Sequence, residues 1–258
     1  MAPRSVVVTG ASRGLGAALA LRFAEPGCHM LLLARSADAL ARVARDCAAR
    51  GAEVTTATLD VRDGAAVERA VLAFDDAHPV DLAIANAGIS RGRLPGGQWE
   101  GRDAVVDQIA VNLIGAMNLA EPLLPRMRAR RAGHIALIAS ISAFRGMPDM
   151  RGYAASKAGL WSYGEGLRAA LKRSGVALTI AAPGFFQSDM EARFQGSKPM
   201  AVTLDQAADR IARGLRRRAA RVVFPLTLAF ALRMLAILPA PLSDAGARLM
   251  RFRIAPED

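Results

Sequence analysis

The sequence predicts an α/β fold in which a mainly parallel sheet carries helices on both faces. Short runs of β-branched and aliphatic residues alternate with longer helical stretches along the 258 residues, and parallel strands need such crossover helices. The composition agrees, because 52% of the residues are hydrophobic and only 5% are aromatic, which lets helices pack closely on a sheet. We interpret residues 1–258 as a single domain.

Seven runs have the character of strands. The first, "SVVVT" at 5–9, is β-branched and ends in glycines, and "CHMLLLA" at 28–34 is continuously apolar. Both are typical of parallel strands that are buried on both faces. The other predicted strands are at 52–60, 80–88, 133–142, 175–184 and 220–224.

The segments between these strands are predicted to be helical at 15–25, 37–50, 63–77, 103–130, 150–173 and 205–218. Ser36 is expected to cap the second helix, and Pro26 to end the first one early. We expect the fourth to be broken near Pro122 and Pro125, since proline removes a helix hydrogen bond. Segment 187–203 lacks clear periodicity and is expected to be a mobile loop or a short helical lid.

Charge and cysteine usage narrow the function classes. The net charge of +11 comes mostly from arginine. No basic stretch interleaves with aromatic residues, so we discount nucleic acid, while an acidic membrane surface and simply solvated arginines remain open. Cys28 and Cys47 have neither metal-ligand nor disulfide spacing. We therefore expect no metal and a reducing, cytoplasmic environment, in keeping with an N-terminus that lacks a signal-peptide core.

The first predicted strand runs into "TGASRGLG", which places Gly10, Gly14 and Gly16 between a strand and a helix. Glycines let the backbone turn tightly and approach a pyrophosphate, and the amides at the following helix N-terminus attract phosphate. The loop therefore indicates a dinucleotide site, although its spacing is G-x3-G-x-G rather than the commoner G-x-G-x2-G.

The residue at the end of the second strand bears on the cofactor. An acidic residue there would bind a ribose 2′-hydroxyl, but this sequence has Arg35, and Arg13 lies inside the glycine loop. A 2′-phosphate is an anion that two guanidinium groups could share. We therefore predict NADP(H) rather than NAD(H). The alternatives are that Arg35 is a solvated strand end, or that Asp38, which we expect in the first helical turn, contacts the ribose.

Tyr153 and Lys157 stand out in the small, apolar stretch "GYAASKAGL". On a helix they share one face. A nearby ammonium favours the phenolate form of tyrosine, so the pair could exchange a proton with an alcohol or carbonyl oxygen. A chance tyrosine–lysine spacing is the alternative when the motif is taken alone.

Two further polar residues fit the same site. Ser140 ends the fifth strand, thirteen residues before Tyr153, and its hydroxyl could bond the reacting oxygen. Ser142 is its local competitor. Asn112 lies in an apolar helical stretch, where asparagine is unfavourable. It could hold a water that links Lys157 to solvent, or it could be a satisfied packing amide.

Together these segments resemble the classical short-chain dehydrogenase/reductases. The matching pieces are "TGASRGLG", "LDV", "NAG", "VN", Ser140, "YAASK" and "PGFFQSDM", in order over about residues 5–190. The resemblance implies a Rossmann-type, doubly wound sheet and hydride transfer between NADP(H) and a carbonyl or alcohol. It implies that Tyr153 is the general acid/base, that Lys157 lowers its pKa and binds the nicotinamide ribose, and that Asn112 supports a proton relay.

The resemblance also implies further contacts. Asp60 would contact adenine, Asn86 would lie beside the adenosine ribose, and Ser188 would line the nicotinamide in place of the usual threonine. The predicted cofactor site comprises Gly10, Ser12, Arg13, Gly14, Leu15, Gly16, Arg35, Asp60, Val61, Asn86, Ala87, Gly88, Tyr153, Lys157, Pro183, Gly184 and Ser188.

The predicted substrate site comprises Ser140 and several apolar residues near these motifs, which would form its walls. Apolar walls predict a lipophilic small-molecule substrate. They are Phe144, Met147, Phe185, Phe186 and Met190. The alternative function is a catalytically silent NADP-binding scaffold or regulatory protein. The presence of Ser140, Tyr153 and Lys157 argues against that alternative.

The C-terminal region, about 222–258, is predicted to be an apolar helical extension. Its most apolar part, 222–238, is short for a bilayer span and contains Arg233. Two interpretations remain. The segment is buried between subunits of a homodimer or homotetramer, or it lies in a membrane interface with arginines at the lipid phosphates.

Overall fold

A computed structural model describes residues 3–91, 99–187, 194–195, 198–249 and 253–254. Seven strands form one sheet in the order β3-β2-β1-β4-β5-β6-β8, and every pair in it is parallel. These strands are β1 (Ser5–Thr9), β2 (His29–Ala34), β3 (Glu53–Thr58), β4 (Leu82–Ala85), β5 (His134–Ile138), β6 (Ala177–Pro183) and β8 (Arg221–Phe224). The predicted parallel, seven-stranded sheet is confirmed.

Helices cover both faces of this sheet. The α-helices of the described residues are α1 (Gly14–Phe23), α2 (Ala37–Ala48), α3 (Gly64–Ala77), α4 (Gly101–Ile109), α5 (Gly115–Ala129), α6 (Arg151–Ala170), α7 (Leu204–Arg216), α8 (Leu226–Ile237) and α9 (Ala240–Leu249). Ser36 caps α2 as predicted, with Ala39 N donating to its Oγ at 3.5 Å. Asp38 lies in the first turn of α2, and α1 ends before Pro26, both as expected.

Alternate residues of the strands pack on opposite faces. Val6 and Val8 of β1 belong to the cluster formed with α1, α2 and α7, whereas Val7 belongs to the cluster formed with α3, α5 and α6. Because both faces are covered, the central strands β1, β4 and β5 are buried along their whole length. This doubly wound arrangement leaves the strand ends as the places where polar side chains can gather.

The expected break near Pro122 and Pro125 is wrong, because both prolines lie inside α5. Each removes one main-chain hydrogen bond, but burial of one helix face outweighs that loss. The fully buried side chains on that face include Leu119, Leu123 and Met127. The helix changes character earlier, in a π-helical turn over Ala110–Ile114 that contains Asn112. Such turns are frequent at functional sites.

The described part of segment 187–203 contains no helix before α7 begins at Leu204. Val202 forms a bridge with Phe186, and the two-residue strand β7 (Phe194–Gln195) pairs with β9 (Arg253–Ile254) in an antiparallel manner. Residues 188–193 and 196–197 lie outside the described residues. The expectation of a short helical lid therefore finds no support where the chain is described, because Gln187 N donates to Val202 O and Val202 N donates to Phe185 O in an extended arrangement. The alternative, a mobile loop, remains a prediction.

Strand β8 begins the C-terminal extension, so only part of 222–238 is helical. Helix α8 follows β8 directly through Pro225. Within the described ranges, we find no helix with the length and apolarity needed to cross a bilayer.

Candidate active site

Three neighbouring strand ends bring the predicted site residues together. Strands β1, β4 and β5 are adjacent and parallel, so their carboxyl ends meet at one edge of the sheet. The glycine loop follows β1, Asn86 follows β4, and Ser140 follows β5. Helix α6 packs against this edge and carries Tyr153 and Lys157, whose Nζ donates to Ile138 O at 2.8 Å.

The glycine loop has the geometry of an anion cradle. Gly10 and Gly14 have φ angles of 65° and 55°, which glycine adopts without steric cost. A Cβ on Gly16 would lie 2.2 Å from Gly10 O, whereas a Cβ on Gly14 would meet nothing within 4 Å. The loop is thus tightly packed against itself at Gly16 and open to solvent at Gly14. Helix α1 starts at Gly14 without a side-chain cap, so its first amides can bind an anion.

Thr9 ties the glycine loop to the next strand end, a role that was not predicted from the sequence. Its buried Oγ1 accepts hydrogen bonds from Asn86 N at 3.0 Å and from Ala87 N at 3.1 Å. In return, Asn86 Nδ2 donates to Thr9 O at 3.1 Å. A hydroxyl directly after three buried valines, at the end of a strand, was the signal that could have identified this residue.

The two predicted arginines follow adjacent strands. Ala11 N donates to Leu33 O at 3.2 Å, which aligns the glycine loop with the end of β2. Arg13 and Arg35 are both exposed near this junction. That both guanidinium groups lie on the ribose side of a dinucleotide remains a prediction.

Asp60 belongs to a network of charged side chains that was not foreseen from the sequence. Arg62 contacts Asp60 at 2.7 Å and Asp107 at 2.8 Å, and Arg91 contacts Asp107 at 3.0 Å. Hydrogen bonding from Arg62 lowers the pKa of Asp60, and the charge of Arg35 adds a smaller effect in the same direction. The carboxylate just after β3 is therefore held ionised.

Tyr153, Lys157 and Ser140 come together as predicted. The Lys157 Nζ lies 5.7 Å from the centre of the Tyr153 ring, and the Tyr153 hydroxyl is hydrogen-bonded with the Ser140 side chain. Ser140 Oγ also accepts a bond from Ser142 N at 3.2 Å. Ser140, rather than its competitor Ser142, is therefore the hydroxyl that meets Tyr153.

Burial dominates the ionisation of this pair. It raises the pKa of Tyr153 to about 12, although the bond with Ser140 lowers it, and it lowers the pKa of Lys157 to about 8. The spacing of the two residues indicated only the charge of Lys157, which would favour the phenolate. In the folded protein the larger effect is desolvation, and it favours the neutral phenol.

Asn112 is completely buried and uses its side-chain amide to join two elements. Its Oδ1 accepts from Ile89 N at 2.7 Å, and its Nδ2 donates to Ile89 O and to Ser156 Oγ, both at 2.9 Å. Ser156 Oγ in turn donates to Tyr153 O at 2.8 Å. Asn112 thus fixes α6 against the segment after β4, and the proton relay remains a prediction.

A buried carboxylate caps the helix that carries Tyr153, and this residue too was not predicted from the sequence. Glu100 Oε1 accepts from Gly152 N at 2.8 Å, and Glu100 Oε2 accepts from Gln108 Nε2 at 2.9 Å. A Cβ on Gly152 would lie 2.6 Å from that Nε2, so the close approach of α4 to α6 requires glycine. A negative charge at a helix N-terminus is stabilising.

Helix α8 forms part of the apolar surroundings of Tyr153. One cluster joins Met147, Met150 and Tyr153 to the inner face of α8, with Phe144 packed against it. The α8 side chains in this cluster are Leu228, Ala229 and Leu232. From the sequence this segment was expected only as an interface, because strand-to-helix order does not show how a C-terminal helix folds back onto the site.

The remaining predicted residues are distributed around this edge. Gly184 N donates to Phe224 O at 2.7 Å next to Pro183, and Val61 is buried. Phe186 packs into the cluster on the α1 side of the sheet rather than with Met147. The predicted residues Ser188 and Met190 lie outside the described residues.

Comparison with known proteins identifies the family of this chain. A family profile described as short chain dehydrogenase matches residues 4–198. The chain belongs to the short-chain dehydrogenase family. It is 36% identical over 256 residues to an uncharacterized oxidoreductase of Myxococcus xanthus (strain DK1622). The alignment covers 97% of this chain and 99% of that protein.

Two solved short-chain dehydrogenases share the fold. A short-chain dehydrogenase from Sphingobium yanoikuyae in complex with NADPH is 26% identical with a TM-score of 0.76, covering 95% of this chain and 94% of that one. A metagenomic short-chain oxidoreductase in complex with NADP is 29% identical with a TM-score of 0.71, covering 85% and 96%. The resemblance to this family seen in the sequence is confirmed.

The Thr9 hydroxyl provides a test of how the strand ends are held. Thr9→Val leaves two backbone N–H groups without an acceptor, so we expect it to lower the free energy of unfolding by about 2–4 kcal/mol. Thr9→Ser keeps the acceptor and should cost less than about 1.5 kcal/mol, mainly for the lost methyl group. Urea unfolding of the two variants measures this difference. Equal losses would show that the hydroxyl does not hold the loop.

Proposed function

We propose that this protein is an oxidoreductase that transfers a hydride between NADP(H) and a carbonyl or alcohol group of a small molecule. The convergence of Ser140, Tyr153 and Lys157 beside the glycine loop carries the proposal. A group that exchanges a proton next to a dinucleotide loop is what such a transfer requires.

The glycine loop fits a dinucleotide. The uncapped start of α1 and the open space in front of Gly14 would receive the pyrophosphate. Asp60 and Asn86 would hold the adenosine half, and Pro183 and Gly184 would flank the nicotinamide. When bound, the nicotinamide supplies or accepts the hydride.

The protein's own residues would handle the proton. In reduction the Tyr153 hydroxyl donates a proton to the carbonyl oxygen, and in oxidation it accepts one from the alcohol. The Ser140 hydroxyl bonds to the same oxygen and stabilises its changing charge. Lys157 uses one N–H on Ile138 O, which leaves its other donors for the nicotinamide ribose.

The pKa of Tyr153 is suited to the reducing direction. With the pKa raised to about 12, the phenol is protonated at neutral pH, which is the form that gives a proton to a carbonyl. Oxidation needs the phenolate, and the neighbouring Lys157, when protonated, favours it. The low pKa of Lys157, about 8, allows that amine to change its own protonation state within the working pH range.

We propose NADP(H) as the preferred cofactor and a lipophilic compound as the substrate. Exposed Arg13 and Arg35 support the first proposal, as do the NADPH and NADP complexes of the two similar structures. The apolar cluster of Met147, Met150 and Leu232 around Tyr153 supports the second.

The broader setting is also a proposal. We propose one dinucleotide-binding and catalytic domain over residues 1–258, working in the cytoplasm as a homodimer or homotetramer. Free, buried Cys28 and Cys47 support a reducing compartment, and exposed Val106 and Ile114 offer apolar contacts for a second subunit. Residues 222–238 are further proposed to make peripheral contact with a membrane.

Removing the Tyr153 hydroxyl tests the proposed chemistry. Tyr153→Phe should lower kcat for ketone reduction by about 10²–10⁴-fold, because it removes the proton donor. Tyr163→Phe is the matched control, since Tyr163 instead donates to Glu121 at 2.7 Å; this variant should keep nearly full activity. NADPH oxidation with a panel of lipophilic ketones measures both. A Tyr153→Phe variant as fast as the unmodified protein would refute the assignment.

The same assay distinguishes the enzyme from a silent scaffold. If the unmodified protein binds NADPH, by nicotinamide fluorescence, but turns over no ketone or alcohol across a broad panel, the scaffold hypothesis replaces the enzyme hypothesis.

The role of Arg35 makes a separate prediction. Arg35→Asp should weaken NADPH binding by about 10–100-fold, the value of a lost charge-assisted contact, and should change NADH binding much less. Arg42→Asp on α2 makes the same charge change on an exposed arginine of that helix and should affect neither. Fluorescence titration gives both dissociation constants. Equal weakening of NADPH and NADH by Arg35→Asp would rule out a contact with the 2′-phosphate.

A further inference from the structure

The outer face of α8 carries a line of large apolar side chains that the described protein does not cover. These residues, here called the apolar ridge, are Leu226, Phe230, Met234 and Ile237, with exposures of 72%, 65%, 39% and 74%. Their spacing of four, four and three residues places them on one side of the helix. Exposed hydrophobic residues scattered singly need no explanation, but a continuous stripe indicates an interaction site.

A groove beside the apolar ridge is lined with arginines. It has a volume of about 730 Å³ and is bounded by Leu226 and Phe230 of the ridge. Its cationic lining consists of Arg210, Arg213, Arg217, Arg221 and Arg233. Arg221 is paired with Glu165. For the other four, here called the arginine groove, no carboxylate lies within ion-pair distance in the described parts of the chain.

Ring contacts hold two of these arginines in place without neutralising them. The Arg210 guanidinium lies 5.3 Å from the Phe224 ring centre, and that of Arg233 lies 4.1 Å from the Phe144 ring centre. A stacked guanidinium keeps its in-plane N–H donors free for an anion such as phosphate. The dipole of α7 explains a cation at its last turn, such as Arg213, but it does not explain Arg233 on α8.

We propose that the apolar ridge and the arginine groove together dock this protein on a bilayer that contains anionic phospholipids. The ridge enters the acyl-chain boundary, and the arginines bind the lipid phosphates. An apolar helix face bordered by arginines is the arrangement that membrane interfaces favour. A second copy fits less well, because a two-fold contact through this face would bring two arginine grooves together, and each chain carries a net charge of +11.

Docking by this face also affects how the substrate reaches the site, an inference that rests on the proposed function. The inner face of α8 packs against Met147, Met150 and Tyr153 through residues such as Leu232. One helix therefore has the catalytic site on one side and the bilayer on the other. A lipophilic ketone dissolved in the membrane would reach Tyr153 along this helix without first entering bulk water.

Vesicle flotation without cofactor or substrate tests the docking surface. Two sets of vesicles are needed, phosphatidylcholine alone and phosphatidylcholine with about one third phosphatidylglycerol, the anionic lipid. We expect binding to the anionic vesicles that is at least about tenfold tighter than to the neutral ones, and weaker when salt rises from about 0.1 M to about 0.5 M. No binding, or equal binding to both sets, would overturn the proposal.

Matched variants separate this surface from the overall charge. Phe230→Ser should weaken binding by at least about tenfold, whereas Val106→Ser, at an exposed apolar site on α4, should not. Arg213→Gln with Arg217→Gln should weaken binding to anionic vesicles strongly. Arg42→Gln with Arg45→Gln on α2 makes the same charge change and should do so weakly. Equal losses in the two arginine pairs would mean attraction by net charge alone and would overturn the proposal.

Two further measurements distinguish docking on a bilayer from contact with a second copy and from misfolding. Analytical ultracentrifugation of Phe230→Ser should leave the oligomeric state unchanged, and conversion of an oligomer to a monomer would show that a second copy covers the ridge instead. Phe230→Ser should turn over a water-soluble ketone within about twofold of the unmodified rate, as expected of a surface change. Because vesicle binding is measured without turnover, failure of the proposed reaction leaves this result interpretable.

Discussion

A buried amine bonded to a main-chain carbonyl sets the geometry of the site. Lys157 is 4% exposed, and its Nζ donates to Ile138 O at 2.8 Å. A buried amine without a partner is costly, so this bond holds α6 against the end of β5. Tyr153 lies one turn earlier on the same helix, and Ser140 lies two residues beyond Ile138. Because of this one contact, the phenol, the hydroxyl and the amine are placed together.

Neutral hydrogen bonds from the surrounding segments hold the same edge of the sheet. Thr9 joins the ends of β1 and β4, and Asn112 joins the segment after β4 to α6. Glu100 adds a charged bond at the start of α6. The side chains proposed to be catalytic are thus positioned by residues outside the proposed reaction centre, which is how a precise site is supported. Helix α8 covers the apolar side of this site with its inner face. Its outer face is exposed on the surface of the described protein.

The sequence predicted the parts that follow from local pattern. Periodicity predicted the strands and their parallel arrangement. Motif spacing predicted the glycine loop and the meeting of Ser140, Tyr153 and Lys157. The π turn at Asn112 and the uninterrupted α5 were not predictable, because burial of a helix face overrides the local cost of Pro122. The partners of the long-range hydrogen bonds were not predictable either, because tertiary packing sets them.

The ionisation of the site shows the same limit. The spacing of Tyr153 and Lys157 indicated their electrostatic coupling, but the sequence contains no measure of desolvation. Burial pushes both groups toward their neutral forms, against the effect that adjacency alone suggests. The proposed docking face of α8 was visible in the sequence as an apolar run near arginines, whereas the division of that run into an inner and an outer face required the fold.

The pKa of Lys157 is the decisive measurement for a site built around this buried amine. The chain has three lysines, Lys157, Lys172 and Lys198, so Lys172→Arg with Lys198→Arg leaves one lysine signal, which NMR of lysine labelled with ¹³C at Cε can follow through a pH titration. We predict a pKa of about 8 for Lys157, because burial on the Ile138 carbonyl disfavours the charged form. A value near the ordinary lysine pKa of about 10.4 would show that the amine is solvated and does not anchor α6 to β5.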